Sequence, residues 1–393
     1  MGAACAHVGG METPPRPLDQ DACYRAVATR DARFDGRFFG GVTSTGIYCR
    51  PVCPARTPRR ENMIFYPSAA AAEEAGFRAC LRCRPETAPD MGAWRGASNT
   101  VSRALSLIEA GALDRTSEGG ADVENLAGRV GVGERHLRRL FRQHLGAAPV
   151  SVAQTRRVLL AKTLIHDTDL SMAEVALASG FGSVRRFNET FQALYGRSPS
   201  ALRRRKDGPG RAGGDAGVRL HLPYRAPYDW AALLAALTAR GDDVSDGVWS
   251  RALTMAIDGA EGRASVALGK AGRLDVTIEA SDLRALPGVL ARVRRVFDLS
   301  ADPEAIARDL SADPMLRPLV ARRPGLRLPG DWIDPGEDAP SDRLLAGCGE
   351  ALVRRAKRWR PWRAYGLLHL RAANLSPDIL TLNPEMTDEP QAA

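Results

Sequence analysis

The stretch GIYCRPVCPAR (46–56) sets Cys49 and Cys53 four positions apart, and CLRC (80–83) sets Cys80 and Cys83 three apart. Four of the 7 cysteines therefore fall into two short pairs. Zinc takes four tetrahedral ligands, and its borderline-soft character suits thiolates. A short pair spans one edge of that tetrahedron. C-x3-C followed by C-x2-C thus reads as a closed four-thiolate site holding one Zn2+ per chain through Cys49, Cys53, Cys80 and Cys83. The alternative is four unrelated buried cysteines, which paired spacing in a reduced compartment argues against. Cys5, Cys23 and Cys348 have no partner at such spacing. The odd count and irregular spacing outside the pairs fit a reduced cytoplasm better than a disulfide framework. A metal-held thiolate also has a second use, since it is a nucleophile toward alkyl groups.

The elements that must position these thiols belong to a chain of 393 residues, too long for one core, so two to four domains are expected. Pro and Gly punctuate it at RPETAPDMGAWRG (84–96) and at the linker DGPGRAGGDAG (207–217). No apolar run reaches membrane-spanning length, and the N-terminus lacks the basic head and apolar core of a secretory signal. The net charge of +9 is unevenly spread: residues 91–206 hold 18 Lys and Arg against 10 Asp and Glu. A basic block inside an otherwise balanced chain points to a nucleic-acid surface.

That block contains an internal repeat. Leu126–Pro149 and Val175–Pro199 pair Gly131 with Gly180, Phe141 with Phe191, and Pro149 with Pro199. Each copy reads as helix, glycine turn, helix, the pattern of a helix-turn-helix. In the second helices, Leu137, Leu140 and Phe141, then Val184, Phe187 and Phe191, fall at helical spacing and are expected in the core. The opposite faces carry Glu134, Arg135, Arg138 and Arg139, then Ser183, Arg185, Arg186 and Asn188, expected to meet base edges or phosphates of double-stranded DNA. A helix near Val150–His166 would hold the two readers apart. Beyond the linker, Val218–Trp230 reads as a strand leading to a helix start. Ala264–Ala280 reads as a hairpin, and Leu283–Phe297 and Pro303–Leu310 as helices.

Three resemblances extend this reading. The stretch from FDGRFF through TSTGIYCRPVCPAR and ENMIFY to AGFRACLRC is similar to the N-terminal domain of the bacterial adaptive-response (Ada) family. The resemblance implies that Cys49, first of the quartet, accepts a methyl group from a DNA methyl phosphotriester. Nothing nearby could hydrolyse a thioether, so the transfer would be single-turnover. Four thiolates and one Zn2+ carry two negative charges, and methylating one sulfur leaves one. Arg50, Arg56, Arg59 and Arg60 cluster beside that nucleophile and are expected to face DNA with less opposing charge after transfer. Residues 97–206 resemble the AraC-family DNA-binding domain, most closely over SMAEVALASGFGSVRRFNETFQALYGRSPSALRR.

The C-terminal half resembles the N-terminal part of AlkA-type methyladenine DNA glycosylases through PYDW, RVFDL and RPGLRLPG, and RAKRWRPWRAYGLLHLRA resembles that family's final helix. Between them only DWIDPGEDAPSDRLLAGCGE stands where the family has most of its helical catalytic domain. Within it Asp342 is the candidate catalytic aspartate, read as a vestige because too little chain remains to wall a base pocket. Trp359 and Trp362 could stack bases, but packing is the expected role.

The expected fold is therefore multidomain α+β. It comprises a four-cysteine zinc domain (14–88), an all-α double helix-turn-helix domain (97–206), a linker (207–217), an AlkA N-terminal-like α+β domain (218–330) and a glycosylase remnant with a helical tail (331–393). The expected function is a methylation-responsive activator of alkylation repair, with double-stranded DNA and RNA polymerase as partners and no membrane. Its rival is a bifunctional regulator that is also a DNA-3-methyladenine glycosylase. A third reading is a zinc-stabilised regulator without methyl transfer. No alkylguanine acceptor motif of PCHR type is present.

Overall fold

Gly40 and Gly41 stand at strand positions where a side chain has no room. A Cβ on Gly40 would stand 2.7 Å from Met63 Cε, and one on Gly41 would stand 3.0 Å from the Phe77 ring. The computed structural model describes residues 18–89, 99–114, 122–203, 217–333, 344–346 and 348–373. Its first module runs α1 (Gln20–Ala28), β1 (Phe39–Val42), β2 (Ile47–Cys49), β3 (Met63–Tyr66), α2 (Ala69–Glu74) and β4 (Arg78–Ala79). The strands form one sheet in the order β3-β1-β2-β4, with β1 antiparallel to both neighbours and β4 parallel to β2. One cluster gathers Cys23, Phe38, Met63 and Phe65, and a second gathers Phe39, Tyr48, Ala72 and Phe77.

The second module is helical: α3 (Asn99–Glu109), α4 (Val123–Arg129), α5 (Glu134–Leu145), α6 (Pro149–Asp167), α7 (Met172–Ala178) and α8 (Val184–Tyr195). The turns between α4 and α5 and between α7 and α8 each need a left-handed residue, supplied by Gly131 (φ +78°) and Gly180 (φ +88°). The repeated apolar positions are buried as expected at Leu137, Leu140, Phe141, Phe187 and Phe191. Val184 departs from that reading: it is 38% exposed, because it is the first residue of α8 and lies beyond the packed turn. Helix α6, at 19 residues, is roughly 28 Å long and spaces the two helix-turn-helix units.

The third module holds β5 (Val218–Pro223), α9 (Trp230–Ala239), β6 (Asp243–Ser245), β7 (Val248–Leu253), α10 (Met255–Asp258), β8 (Gly262–Leu268), β9 (Arg273–Ala280), α11 (Leu286–Val296), α12 (Pro303–Leu310) and α13 (Arg317–Arg322). Its sheet is antiparallel throughout, in the order β5-β9-β8-β7-β6. Fully buried Trp249 packs against Phe297 and Trp332, with ring centroids 5.4 and 5.7 Å away. Two tail helices follow, α14 (Glu350–Ala356) and α15 (Arg363–Ala372). They share a core with α12 and α13 through Ile306, Leu310, Leu316, Val320, Leu352, Trp359 and Leu370, so the split drawn at residue 330 does not coincide with a change of core. Among the described residues no helix is long and apolar enough to cross a membrane.

Candidate metal centre and nucleic-acid interface

The parallel pairing of β2 with β4 brings the two cysteine pairs together. Tyr48 pairs with Ala79 in register, and the next amide, of Cys80, donates to Tyr48 O at 3.0 Å. Cys49 ends β2, and a turn closed by Cys53 N donating to Arg50 O at 3.1 Å folds its partner back. All four sulfurs lie within 4.8 Å of one another. Zinc–sulfur bonds of ~2.3 Å place tetrahedral sulfurs about 3.8 Å apart, so the cluster fits the ion's size and donor preference. Backbone amides support the sulfurs from outside: Arg50 N donates to Cys83 Sγ at 3.4 Å and Arg82 N to Cys80 Sγ at 3.3 Å.

Cys53, Cys80 and Cys83 are buried residues, and Cys49, at the end of its strand, is a half-buried one. Four thiols this close cannot all ionise unaided. Proton-sharing bonds with Cys53 and then Cys80 and Cys83 push the Cys49 thiol up, and bonds from Cys49 and Cys53 draw Cys80 down. A divalent cation is what this donor set calls for.

The arginines beside the cluster do not behave as one group. Arg56 and Arg59 are exposed. Arg60 is half-exposed and pairs with Asp21 at 2.9 Å. Arg50, expected to face DNA, turns its side chain inward in this structure. Its Nε donates to Asp35 Oδ1 at 2.8 Å, and its NH1 donates to Thr87 Oγ1 at 2.6 Å and to Cys83 O at 3.2 Å. Buried Asp35 draws the guanidinium inward, where it ties the first cysteine loop to the second. Sequence reasoning missed Asp35 and Thr87, because a lone acid and a lone hydroxyl give no local signal. It also missed exposed Arg82, inside the CLRC pair itself.

Comparison with known proteins names the parts. Residues 22–86 match the metal binding domain of Ada, residues 126–205 a helix-turn-helix domain, and residues 219–333 the AlkA N-terminal domain. The chain joins an Ada zinc domain to a helix-turn-helix domain and an AlkA N-terminal domain. A probable bifunctional transcriptional activator/DNA repair enzyme AlkA of Mycobacterium tuberculosis is 41% identical over 79% of this chain and 62% of its own length. The chain thus spans under two thirds of that relative. The bifunctional transcriptional activator/DNA repair enzyme AdaA of Bacillus subtilis is 29% identical over 47% of this chain and 82% of its own. The crystal structure of the methylated N-Ada/DNA complex is 35% identical, covers 36% of this chain and 99% of that one, and has a TM-score of 0.18.

The four cysteines of the Ada-matching region fit a single zinc site. In the helix-turn-helix domain, Arg135, Arg138, Arg139, Arg185, Arg186 and Asn188 are all exposed. Glu134 holds Arg138 at 2.6 Å, and Glu189 holds Arg185 at 2.8 Å, which leaves each guanidinium at the surface but oriented along its helix. Ser183 caps α8, its Oγ accepting from Arg186 N at 3.2 Å. In the AlkA N-terminal domain and tail, Trp359 is 3% exposed and its Nε1 donates to Asp313 Oδ2 at 2.7 Å, so it packs and offers no ring to a base. Trp362 Nε1 donates to Asp309 at 2.9 Å. Asp342 lies outside the described residues.

Proposed function

We propose that this protein removes a methyl group from a methyl phosphotriester in DNA onto Cys49 and, once methylated, activates alkylation-repair genes through its paired helix-turn-helix units. The observation that carries the reading is the four-sulfur cluster itself, with Cys49 as its first cysteine, inside a stretch that matches the metal binding domain of Ada. Bound zinc supplies one thing, a Cys49 sulfur kept deprotonated at neutral pH. Cys49 Sγ attacks the methyl carbon in line with the ester oxygen. The S–C bond forms as the C–O bond breaks, and the electron pair leaves on a phosphodiester oxygen. The products are S-methylcysteine and an intact diester, and no residue near the site could return the thioether to a thiol.

Exposed Arg56 and Arg59, with half-exposed Arg60, are the backbone contacts of this module in the proposal. Arg135, Arg138, Arg139, Arg185, Arg186 and Asn188 face the grooves, with Glu134 and Ser183 orienting them. An activator of this kind works in the cytoplasm on the nucleoid and meets RNA polymerase at the promoter. Intact-mass measurement after incubation with methylated duplex DNA tests the reading. A gain of about 14 mass units located on Cys49, and lost in Cys49→Ser, is expected for one thiolate alkylation. A methyl group on Cys53, Cys80 or Cys83, or none, overturns it.

The AlkA N-terminal domain raises a second reading, excision of alkylated bases. Against it, the described helices of this region pack on one another around Trp359 and Leu316, and both residues are buried in that shared core.

A further inference from the structure

The Ada domain is bolted to helix α6 along nearly its whole length. At the N-terminal end, Ala148 N donates to Glu74 Oε1 at 2.8 Å, and Ser68 Oγ donates to Leu145 O at 2.6 Å. At mid-helix, Thr155 Oγ1 donates to Glu73 Oε2 at 2.6 Å, and the other oxygen of that carboxylate accepts from Tyr48 OH at 2.9 Å. Two turns further, Lys162 Nζ meets Glu86 Oε2 at 2.8 Å, with side chains 0% and 1% exposed. At the C-terminal end, Arg84 bridges Glu86 and Asp167 at 3.1 Å each.

Two of these contacts begin beside zinc ligands. Tyr48 precedes Cys49, and Arg84 follows Cys83 with Glu86 two residues on. A buried ion pair is weak evidence for stability, since apolar replacements often do as well. What such a pair enforces is geometry, because a buried charge tolerates no movement off its partner. Contacts from Ala148 to Asp167 leave the Ada domain no axis about which to rock on α6. That helix also fixes the spacing of α5 and α8.

We propose that Glu86–Lys162, with Glu73–Thr155, is a lock that makes the Ada domain and the two reader helices one rigid DNA-binding body, and that this lock converts methylation into promoter affinity. The proposal rests on the methyl-acceptor reading above. Losing one negative charge improves only the contacts of the Ada domain with phosphate. Held rigidly beside the readers, those contacts form at high effective concentration, and their gain adds to binding of the whole chain. On a loose tether the same gain is diluted.

The test uses the zinc-loaded full chain in two variants. One is the double substitution Lys162→Met with Glu86→Gln, which replaces the pair with uncharged groups of similar size, and the other is the milder Thr155→Val. The probe is a duplex selected from a random library by the methylated wild-type chain. Both variants should take up one methyl group on Cys49. Their ratio of methylated to unmethylated affinity should fall by about threefold or more, the dilution a flexible tether brings. Variants that accept the methyl group and keep the wild-type ratio overturn the lock. Absence of methyl uptake in the wild type would instead overturn the acceptor reading. Amide exchange of the unmethylated chains then still judges the lock, which requires Thr155–Asp167 and the β2–β4 amides to lose protection together in the variants. Unchanged protection in both segments overturns it.

Discussion

Arg50 follows Cys49 in the chain but turns its guanidinium onto Asp35, with side chains only 14% and 8% exposed. The pair stands where three segments meet. Arg50 also reaches Cys83 O and Thr87, and Arg225 of the third module donates to Asp35 O at 3.0 Å. A charge so placed holds the cysteine loops in register and has little left to offer a phosphate.

Removing one member of this pair should therefore be costly. Asp35→Ala is expected to destabilise the zinc-loaded chain by about 3 kcal/mol, the scale for stranding a buried charge. Arg59→Ala, at a side chain 85% exposed, should change stability by under about 0.5 kcal/mol while reducing the salt dependence of DNA binding. Denaturant unfolding and salt titrations check both. Equal effects of the two substitutions on stability would contradict the inward role of Arg50.

Methylation should strengthen DNA binding most at low salt. The change at the metal site is one unit of charge near phosphates, and mobile ions screen it over about 10 Å at 0.1 M. Affinities of the methylated and unmethylated chains should converge as salt rises. Equal affinities at low salt would reject an electrostatic switch.

The helical unit at the C-terminus should lose stability in mild acid. Burial, with nearby Arg323 as a lesser cause, pushes His369 down from 6.5 to about 4. The folded state thus keeps this ring neutral where the unfolded chain protonates it. Its contribution is complete above pH 6.5 and is lost as pH falls toward 4, by at most about 3 kcal/mol. Urea unfolding followed across that range should show the slope, and His369→Leu should flatten it. A slope unchanged in the variant would mean other groups carry it.

No release of 3-methyladenine from methylated duplex DNA is expected, and Asp342→Asn should leave repair in cells unaltered. Flipping a base costs a few kcal/mol, which a pocket and backbone contacts must offset. The helices around Trp359 instead satisfy one another, Arg355 and Trp359 both bonding Asp313 at 2.7 Å. Base release that depends on Asp342 would restore the bifunctional reading.

The parts whose logic is local were legible in the chain. Cys49, Cys53, Cys80 and Cys83 announced a metal site because ligand type and pair spacing are properties of short segments. The repeat from Gly131 to Gly180 announced two helix-turn-helix units, because turn glycines and helical periodicity are written within some twenty residues. Tertiary structure decided which charges face outward. Arg50 and Arg59 read alike in the chain, and only packing set one against Asp35 and left the other in solvent. Val184 sits at core spacing yet lies outside the core, since periodicity does not say where the neighbouring layer ends. Lys162 looked like one more cation of a basic block. It is wholly buried on Glu86, a partner 76 residues away, and pairing over that distance is fixed by the docking of two modules, which no local pattern encodes.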